Sequence, residues 1–294
     1  MLIPGLVILL INNYIPMFGV VIAFKKFRFT TNNFITSLFA SEWSGFKNFE
    51  FFTKTDAAFV ITRNTLLYNA AFILFGLLTA VPAAIALNEL RNRFLAKFYQ
   101  TAMFLPNFLS WVVVGIFGFS FLSTDIGFIN NSILKPLGIN AIQWYNEPKY
   151  WPFILVFAQI WKTIGNSSII YLAAITNFDS GLYESAVIDG ASKWKQITKI
   201  TIPLLKPLMI TLTLMHVGKI FFADFGLFYQ VPQDSGALYS VTNVIDTYTF
   251  NAFKVMADTG MSAAVGLYQA TVGFVLVMVS NFVVRKIDKE SALF

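Results

Sequence analysis

Six stretches of this sequence are long, apolar and almost free of charged side chains, and they constrain the fold more than any other feature. Burying one charge in hydrocarbon costs roughly 2.5 to 3.5 kcal/mol, so a helix that crosses a membrane shows in a sequence as a gap between charged residues. A crossing helix needs roughly 17 to 25 residues. The stretches are residues 1–24, 64–88, 98–124, 150–178 (interrupted by Lys162), 207–223 (interrupted by Lys219) and 259–284.

The composition agrees with these stretches. Hydrophobic residues make up 56% of the chain and charged residues 12%, whereas soluble domains carry about 25% charged residues. We therefore predict an all-α polytopic membrane protein that forms a single transmembrane domain over residues 1–294. The six predicted spans cover residues 2–24, 65–88, 99–122, 151–177, 205–223 and 261–284.

The chain lacks the residues on which most enzymes and cofactor sites depend. It contains no Cys and a single His, His216, which excludes disulfide frameworks, thiolate nucleophiles and the common zinc sites. It also has no G-x-x-x-x-G-K-[ST] loop to hold nucleotide phosphates. We predict a non-catalytic chain with no metal or cofactor, so any ATP that drives it is bound by another chain.

The basic residues give a modest indication of orientation. The sequence before the first charged run has no signal-peptide features, so we interpret it as a span without the usual cytoplasmic leader. With six spans both termini lie on the same side of the membrane. If that side is the cytoplasm, one group of basic residues lies in short segments on the inner side, and a group of similar size lies in longer loops on the outer side. The inner set is Arg91, Arg93, Lys97, Lys193, Lys195, Lys199, Lys206, Arg285, Lys286 and Lys289, and the outer set is Lys25, Lys26, Arg28, Lys47, Lys54, Arg63, Lys135, Lys149 and Lys254.

The net charge of +6 does not indicate a nucleic-acid-binding protein. No basic stripe with interleaved stacking aromatic residues lies outside the spans. We expect membrane lipid, with its anionic inner-leaflet headgroups, to be the counter-charge.

The segment between the fourth and fifth spans has more structure than a simple connector. Residues 182–188 have helical composition with Glu184 in the first turn, and Asp189-Gly190 would end that helix, because glycine tolerates the left-handed geometry found there. A second short helix at the interface follows, and Pro203 and Pro207 are predicted to mark the turn into the fifth span. Such an element could dock into a groove of a partner, or it could rest on lipid.

Three groups of residues in this segment resemble a known signature. Glu184-Ser185-Ala186, Asp189-Gly190-Ala191 and Ile200-Thr201-Ile202-Pro203 are similar to the E-A-A-x-x-D-G-A…I-x-x-P signature of permease subunits of binding-protein-dependent ABC importers, with Ser185 in place of the usual Ala. The resemblance extends over essentially the whole chain. Leu2-Ile-Pro-Gly, Leu105-Pro-Asn-Phe-Leu-Ser-Trp111 and Trp161-Lys-Thr-Ile-Gly165 are similar to the carbohydrate branch, and within it to permeases for oligosaccharides and polysaccharide fragments.

The resemblance implies a location, a set of partners and a mechanism. It implies a multi-pass protein of the bacterial cytoplasmic membrane with both termini in the cytoplasm. It implies a second permease subunit of different sequence, two ATPase subunits that bind ATP and Mg²⁺, and an extracytoplasmic solute-binding protein that delivers an oligosaccharide. Residues 181–204 would contain the coupling helix, in which Glu184 pairs with the ATPase, Ala186 allows close approach and Gly190 permits the bend.

Polar residues inside the spans are candidates for the solute pathway. Gln159, Lys162 and Asn166 occur at i, i+3 and i+7 of the fourth span, which places them on one helical face. Ionisable residues inside a membrane usually face the bundle interior or a wet cavity, so this face could bind sugar hydroxyls or a uronate carboxylate. Alternatively, Lys162 could hold its helix to a neighbour through backbone carbonyls.

His216 and Lys219 share a face of the fifth span, near Asp224. The spacing of Lys219 and Asp224 does not favour a pair between them. Trp111, Trp161 and Tyr171 could stack on sugar rings, although ordinary packing or lipid contact is the more frequent role of an aromatic residue in a chain with 17% of them.

Two other classes of function remain as alternatives. A self-sufficient secondary transporter or channel could use Lys162, Lys219 and Asp224 as an ion relay, but the sequence shows no inverted halves and no acidic residue at mid-membrane. A membrane-embedded enzyme would need catalytic groups beside the single histidine, and none is evident.

Overall fold

The long helices of the protein account for the apolar stretches. The computed structural model describes residues 3–28 and 33–287, so Leu2 and Lys289, named above, lie outside the described residues. Five helices are long and apolar enough to cross a membrane, and a bent pair makes up to six spans. In chain order the main helices are α1 (Ile3–Phe24), α2 (Ala57–Glu89), α3 (Arg93–Phe104), α4 (Trp111–Leu122), α5 (Trp151–Thr176), α6 (Ser180–Ile188), α7 (Lys193–Val217), α8 (Phe225–Gln230), α9 (Ile245–Lys254) and α10 (Thr259–Ile287). The all-α membrane fold is confirmed.

The first helix is irregular and mostly unpacked. It contains a π-helical turn at Leu10–Tyr14 and a 3-10 stretch at Phe18–Phe24. Within α1 only Ile22 and Ala23 are buried, and the 3-10 stretch packs against α10. The apolar side chains before it are exposed on every side, so most of α1 has no partner within the described chain.

The predicted third span is not one continuous helix, and the prediction of a helix over 99–122 is wrong at its centre. The axis of residues Arg93–Phe108, which comprise α3 and a 3-10 turn at Leu105–Phe108, differs from the axis of α4 by 98°. Leu105, the residue before Pro106, is still helical, and the bend lies at Leu109 and Ser110, whose backbones are extended. Ser110 then starts α4 as its N-cap, accepting a hydrogen bond from the Val113 N–H.

The predicted turn at Pro203 and Pro207 is also absent. Residues 193–217 form one helix, α7, in which a π-helical turn at Ile197–Thr201 leads into regular α-helix. Pro203 lies in the first turn of that regular part, where a missing N–H is tolerated, and Pro207 lies inside it. The helix ends at Val217, so residues 218–223 of the predicted fifth span continue as turns and irregular backbone.

Short elements fill the loops between the spans. Lys25–Lys26 and Glu42–Trp43 form a two-stranded antiparallel sheet in which Lys25 is opposite Trp43. The remaining α-helices are Phe34–Ala40, Phe51–Lys54 and Tyr239–Thr242. The other 3-10 turns are Lys47–Phe49, Lys135–Leu137, Trp144–Asn146, Pro148–Tyr150 and Gly236–Leu238, and a π-helical turn covers Ile129–Leu134.

The centre of the fold is the pair α2 and α5, which pack along each other. Three clusters of buried side chains surround this pair. One cluster joins α2, α4, α5 and α8 around Trp151 and Leu227. A second joins α2, α9 and α10 around Ile61 and Val265, and a third joins α2, α5 and α7 around Tyr171. The clusters leave open the space between α2, α5 and α7 at the level where the third and fifth spans are interrupted.

Candidate functional site

A cavity of about 330 Å³ lies between α2, α5 and α7. This volume falls at the lower end of the range for small-molecule sites. Its walls carry polar side chains from all three helices and from the segment after α7. The polar lining residues are Asn69, Gln159, Thr163, Asn166, Ser167, Tyr171, Thr213, His216, Lys219 and Asp224.

Helix α5 contributes one polar face to this cavity. Gln159, Thr163 and Asn166 follow one another at spacings of four and three residues, so they lie on one side of the helix. The Oε1 atom of Gln159 is buried and has no hydrogen-bond partner among the described residues. A buried acceptor without a partner is costly, and because this atom has almost no accessible surface, a hydroxyl in the cavity reaches it only if the Gln159 side chain moves.

Lys162 does not line the cavity, although the sequence places it on the same face as Gln159 and Asn166. Its Nζ donates hydrogen bonds to the carbonyl oxygens of Asn107 at 2.9 Å and Leu109 at 2.6 Å, with Pro106 at 3.5 Å. These carbonyls belong to the break between α3 and α4, where the Pro106 carbonyl also accepts the Leu109 N–H at 3.1 Å. Irregular backbone at membrane depth requires such partners. The structure therefore shows the tethering arrangement, the second of the two alternatives.

The segment after α7 is held in a similar way by a side chain from α2. The Asn69 amide donates hydrogen bonds to the carbonyl oxygens of Ile220 at 2.9 Å and Phe222 at 3.3 Å. Both carbonyls lie in the irregular backbone that follows Val217. Asn69 therefore stabilises the wall that it also lines.

Two further side chains, from α9 and α10, complete this support. The Gln269 amide donates to the Phe221 carbonyl at 2.7 Å and to the Asp246 carboxylate at 3.2 Å. The same carboxylate accepts the Ala223 N–H at 2.8 Å. Burial raises the pKa of Asp246 above its ordinary value, and the hydrogen bonds from Ala223 and Gln269 oppose that rise because they favour the charged form.

Asp224 ends this segment and connects it to α4. Its Oδ1 caps α8 by accepting the N–H groups of Gly226 at 3.0 Å and Leu227 at 3.4 Å. Its Oδ2 accepts the indole Nε1–H of Trp111 at 2.7 Å. The carboxylate is thus satisfied by three donors, and the indole N–H shows that Trp111 has a role other than stacking on a sugar.

His216 and Lys219 differ from Asp224 in that their side chains have no partner among the described residues of the cavity wall. The side chains of His216 and Lys219 line the cavity and have neither a hydrogen bond nor an ion pair within residues 3–28 and 33–287. In particular, Lys219 and Asp224 both line the wall without forming a salt bridge, as their spacing predicts. The donors of Asp224 are neutral and leave its negative charge in place, so the cavity is lined by one ammonium and one carboxylate that do not pair with each other.

The two remaining aromatic candidates, Tyr171 and Trp161, lie in different parts of the structure. Tyr171 lines the cavity and is almost fully buried in the cluster with Leu205. Trp161 instead lines an apolar groove between α4 and α5, together with Phe117, Phe121 and Phe157. That groove has hardly any polar atoms, so Trp161 lies away from the polar wall.

At the opposite end of α5, the signature segment begins with helix α6. Asp179, not Glu184, is its N-cap, and its carboxylate accepts the Gly181 N–H at 2.9 Å. Glu184 lies beyond the first turn and is exposed, so its predicted position at the helix start is wrong. Its carboxylate is free to meet a partner.

Gly190 ends α6 in the left-handed region, with φ of +71°. The Gly190 N–H donates to the Val187 carbonyl at 3.0 Å, and the Ala191 N–H donates to the Ala186 carbonyl at 2.9 Å. This pair of bonds is the Schellman motif, which requires a residue that tolerates positive φ. Gly190 therefore sets the angle between α6 and α7.

Three side-chain contacts hold the segment of residues 181–204 in place. Tyr183 and the buried Thr201 share a hydrogen bond of 3.0 Å between their hydroxyl oxygens. Gln196 donates to the Ala191 carbonyl at 3.0 Å. Lys193 forms a salt bridge of 3.0 Å with Glu89 at the end of α2, although exposed pairs of this kind contribute little, about 0 to 1 kcal/mol.

The outer surface of this segment is apolar. Val187, Ile188 and Trp194 are 60%, 86% and 73% exposed. Exposed apolar side chains grouped around a free carboxylate are typical of a protein–protein contact. Within residues 3–28 and 33–287 no group of three or more His, Cys, Asp and Glu residues is placed to hold a metal ion.

Several residues of the site escaped sequence reasoning. Asn69 and Gln269 carry no charge, so they do not interrupt an apolar stretch, and Asp246 lies outside the predicted spans. A search for amide side chains inside the spans would have found the first two. Nothing in the sequence reveals which carbonyls they bind, since their partners are 151 and 48 positions away.

Three comparisons relate this architecture to known proteins. Among curated proteins, Protein LplB of Bacillus subtilis (strain 168) is 33% identical over 291 residues, 99% of this chain and 89% of that protein. The polygalacturonan/rhamnogalacturonan transport system permease protein YteP of the same organism is 33% identical over 290 residues, 99% of this chain and 88% of that protein.

A solved structure and a family profile agree with these relatives. A chain of the bacterial alginate ABC transporter, solved in complex with an alginate pentasaccharide-bound periplasmic protein, is 31% identical with a TM-score of 0.86, covering 98% of this chain and 94% of that chain. The profile described as binding-protein-dependent transport system inner membrane component matches residues 72–289. This chain belongs to that family, the inner membrane components of binding-protein-dependent transport systems.

Proposed function

We propose that this chain forms half of the translocation pathway of an ATP-driven oligosaccharide importer, with both termini in the cytoplasm. The observation that carries the proposal is the polar cavity between α2, α5 and α7, whose lining includes an unpaired lysine at membrane depth. Family membership contradicts the alternatives of a self-sufficient transporter and a membrane-embedded enzyme, because members are components of a multi-protein transport system.

The segment of residues 181–204 is the contact with the ATPase subunits in this proposal. The exposed carboxylate of Glu184 meets a basic or polar group of the ATPase, and Val187, Ile188 and Trp194 supply apolar contact area. Ser185, Ala186, Asp189, Gly190, Ala191 and Pro203 set the shape of the segment. The ATPase subunits bind ATP and Mg²⁺, and their movement reaches the cavity through α7, which is continuous from Lys193 to Val217.

The second permease subunit covers α1. The apolar side chains of α1 before its 3-10 stretch are exposed on every side, so this part of the helix offers an apolar surface to a partner helix. The outer ends of the spans, near the cavity, face the solute-binding protein. Support for such partners comes from the alginate transporter, whose structure includes a periplasmic protein.

The solute in this proposal is an acidic oligosaccharide. Lys219 lines the cavity and forms no ion pair among the described residues, so its ammonium can meet a carboxylate of the solute, whereas the oxygens of Asp224 are already occupied by three neutral donors. An ammonium in such a place attracts a uronate carboxylate. The names of two relatives agree, since one transports polygalacturonan and rhamnogalacturonan and one belongs to a transporter of alginate.

Co-purification tests the assembly. The chain is isolated from native membranes in mild detergent, and the proteins that accompany it are identified by mass spectrometry. We expect a nucleotide-binding ATPase and a second permease. Recovery of the chain alone across several detergents would contradict the proposal.

Uptake into proteoliposomes tests the solute class. The purified complex is supplied with ATP, its binding protein, and either an oligogalacturonide or the same oligogalacturonide with its carboxylates methyl-esterified. We expect faster uptake of the charged form and loss of this preference in Lys219→Gln, because the neutral amide cannot attract the carboxylate. Equal uptake of both forms by the parent complex would reject the acidic class but not the importer.

A further inference from the structure

Two interruptions of helical backbone face each other across the cavity wall. The first is the break between α3 and α4 at residues 105–110, and the second is the segment of residues 218–224 after α7. Each is held by side chains of other helices, Lys162 for the first and Asn69, Asp246 and Gln269 for the second. These interruptions are the places where the wall can change shape without disturbing a continuous helix.

A side-chain hydrogen bond joins the two interruptions. The indole Nε1–H of Trp111, at the start of α4, donates to the carboxylate of Asp224, at the end of the second segment, at 2.7 Å. Hydrogen bonds with an ionised partner are roughly twice as strong as neutral ones. Asp224 lines the cavity, so this bond fixes part of the cavity wall.

The Trp111 ring is held in one position by its neighbours. The Lys162 ammonium lies 5.3 Å from the ring centroid, within the range of a cation–π interaction, while it also holds the carbonyls of Asn107 and Leu109. On the other side, Gly226 approaches so closely that a Cβ there would lie 2.3 Å from the ring atom Cδ1. Glycine at position 226 therefore allows the ring to reach Asp224.

We propose that Trp111 and Lys162 are positioning residues that hold the outer wall of the cavity closed through Asp224. The inference rests on the proposed function, since a wall of a translocation pathway has to open and close in each cycle. The Trp111–Asp224 hydrogen bond forms in the closed state of the wall and breaks when the wall opens. Lys162 holds the backbone of residues 105–110 in one position, so that the Trp111–Asp224 hydrogen bond re-forms at the same place.

The absence of Cys from the sequence makes an accessibility experiment direct. Ser167, which lines the cavity, is replaced by Cys in the full complex, reconstituted in proteoliposomes. A membrane-impermeant maleimide is added from the outer side, with and without ATP, and the labelling rate of this chain is measured. In the parent we expect one nucleotide state in which the cysteine is protected.

Two conservative variants remove the bond by independent routes. Trp111→Phe keeps the ring and removes the donor. Asp224→Asn keeps a residue suited to cap α8 but leaves only one acceptor oxygen for the cap and the indole. We expect each to raise labelling in the protected state about tenfold, the factor expected for loss of one hydrogen bond to a charged group. The double variant should add no further increase, because both changes remove the same bond.

Trp161→Phe is the matched control, since Trp161 lies on the apolar groove, and it should label like the parent. Unchanged protection of the cysteine in Asp224→Asn or in Trp111→Phe would overturn the proposal. A double variant whose increase in labelling rate equals the product of the two single increases would also overturn it, because the two changes would then act independently. A purely structural role would lower the amount of complex without changing the ratio of labelling rates with and without ATP. If the parent complex shows no ATP-dependent uptake, the proposed function fails and the labelling ratios still report on the bond.

Discussion

Gly165 of α5 lies against the backbone of Met103 at the end of α3, so closely that a Cβ at position 165 would be 2.1 Å from the Met103 carbonyl oxygen. This is the point where α3, the first half of the broken third span, crosses the fourth span. Small residues permit such crossings in membranes. The position of α3, and with it the break that Lys162 holds, therefore depends on the absence of a side chain at residue 165.

Replacing this glycine should disturb the crossing. In Gly165→Ala the methyl group meets backbone atoms that cannot move aside cheaply, and overpacking of this kind costs about 1 to 3 kcal/mol. We expect a lower midpoint of thermal unfolding and less assembled complex. Gly266→Ala in α10 is the matched control, because nothing lies within 4 Å of a Cβ there. Equal stability of both variants would show that α3 does not cross at Gly165.

Removing the ammonium of Lys162 should destabilise the break between α3 and α4. Lys162→Met keeps the length of the side chain but leaves the carbonyls of Asn107 and Leu109 without their donor, at a cost of about 1 to 3 kcal/mol. Thermal unfolding of the purified complex measures this loss. The control is Lys219→Met, which should leave stability nearly unchanged because Lys219 has no partner within the described residues. A larger loss in the control would argue that Lys162 is not the tether.

At Asp246 we expect shape to matter more than charge. In Asp246→Asn the amide oxygen can still accept the Ala223 N–H and the Gln269 amide, whereas Asp246→Ala leaves both donors unpaired. The alanine variant should lose about 1 to 3 kcal/mol of stability, while the asparagine variant should match the parent or exceed it. Similar losses in both variants would contradict the assigned hydrogen bonds.

The same carboxyl group should give a specific pH dependence. Burial raises its pKa in the folded chain above the unfolded value, so the folded chain binds the proton more tightly, and this stabilisation is lost as pH rises through the folded pKa. Unfolding midpoints of the parent and of Asp246→Asn, measured from acid to neutral pH, should therefore diverge in favour of the variant as pH rises. Parallel curves would show that Asp246 is not shifted upward.

The bend at Gly190 should be needed for coupling and not for membrane insertion. Proline cannot adopt positive φ and lacks an N–H, so Gly190→Pro removes the bond to the Val187 carbonyl and changes the angle between α6 and α7. We expect normal insertion but loss of uptake and of solute-stimulated ATP hydrolysis.

An equivalent glycine in the loop between α4 and α5 provides the control for this prediction. Gly138 has φ of +70° and donates to the Lys135 carbonyl, and the Ile139 N–H donates to the Leu134 carbonyl, which is the same motif. Gly138→Pro makes the same local change away from α6 and should leave stimulated ATP hydrolysis intact. Normal transport by Gly190→Pro would reject the coupling role.

Much of the architecture could be predicted because hydrocarbon excludes charge. The gaps between charged residues place both ends of α5 and α10 within about three residues. They place the end of α2 equally well, but α2 starts at Ala57 and includes Arg63, so it begins well before the predicted residue 65. The interruptions of the helices were harder to predict from the sequence. Pro106 lies in a 3-10 turn that continues α3, and the chain bends only at Leu109 and Ser110, whereas Pro203 and Pro207 lie within α7. The position of a proline in the sequence therefore does not locate the break.

The sequence by itself determined the number of apolar stretches, the signature from Glu184 to Pro203 and the chain's similarity to a transport family. Only the tertiary structure decided what the polar residues within the spans do. The spacing of residues along a helix shows which side chains share a face, but it does not show which other segment of the chain packs against that face. Lys162 and Gln159 are three residues apart, yet one binds the carbonyls of a broken helix and the other lines a cavity. The difference comes from the unsatisfied backbone groups that fold against Lys162, since hydrocarbon offers them no other donor.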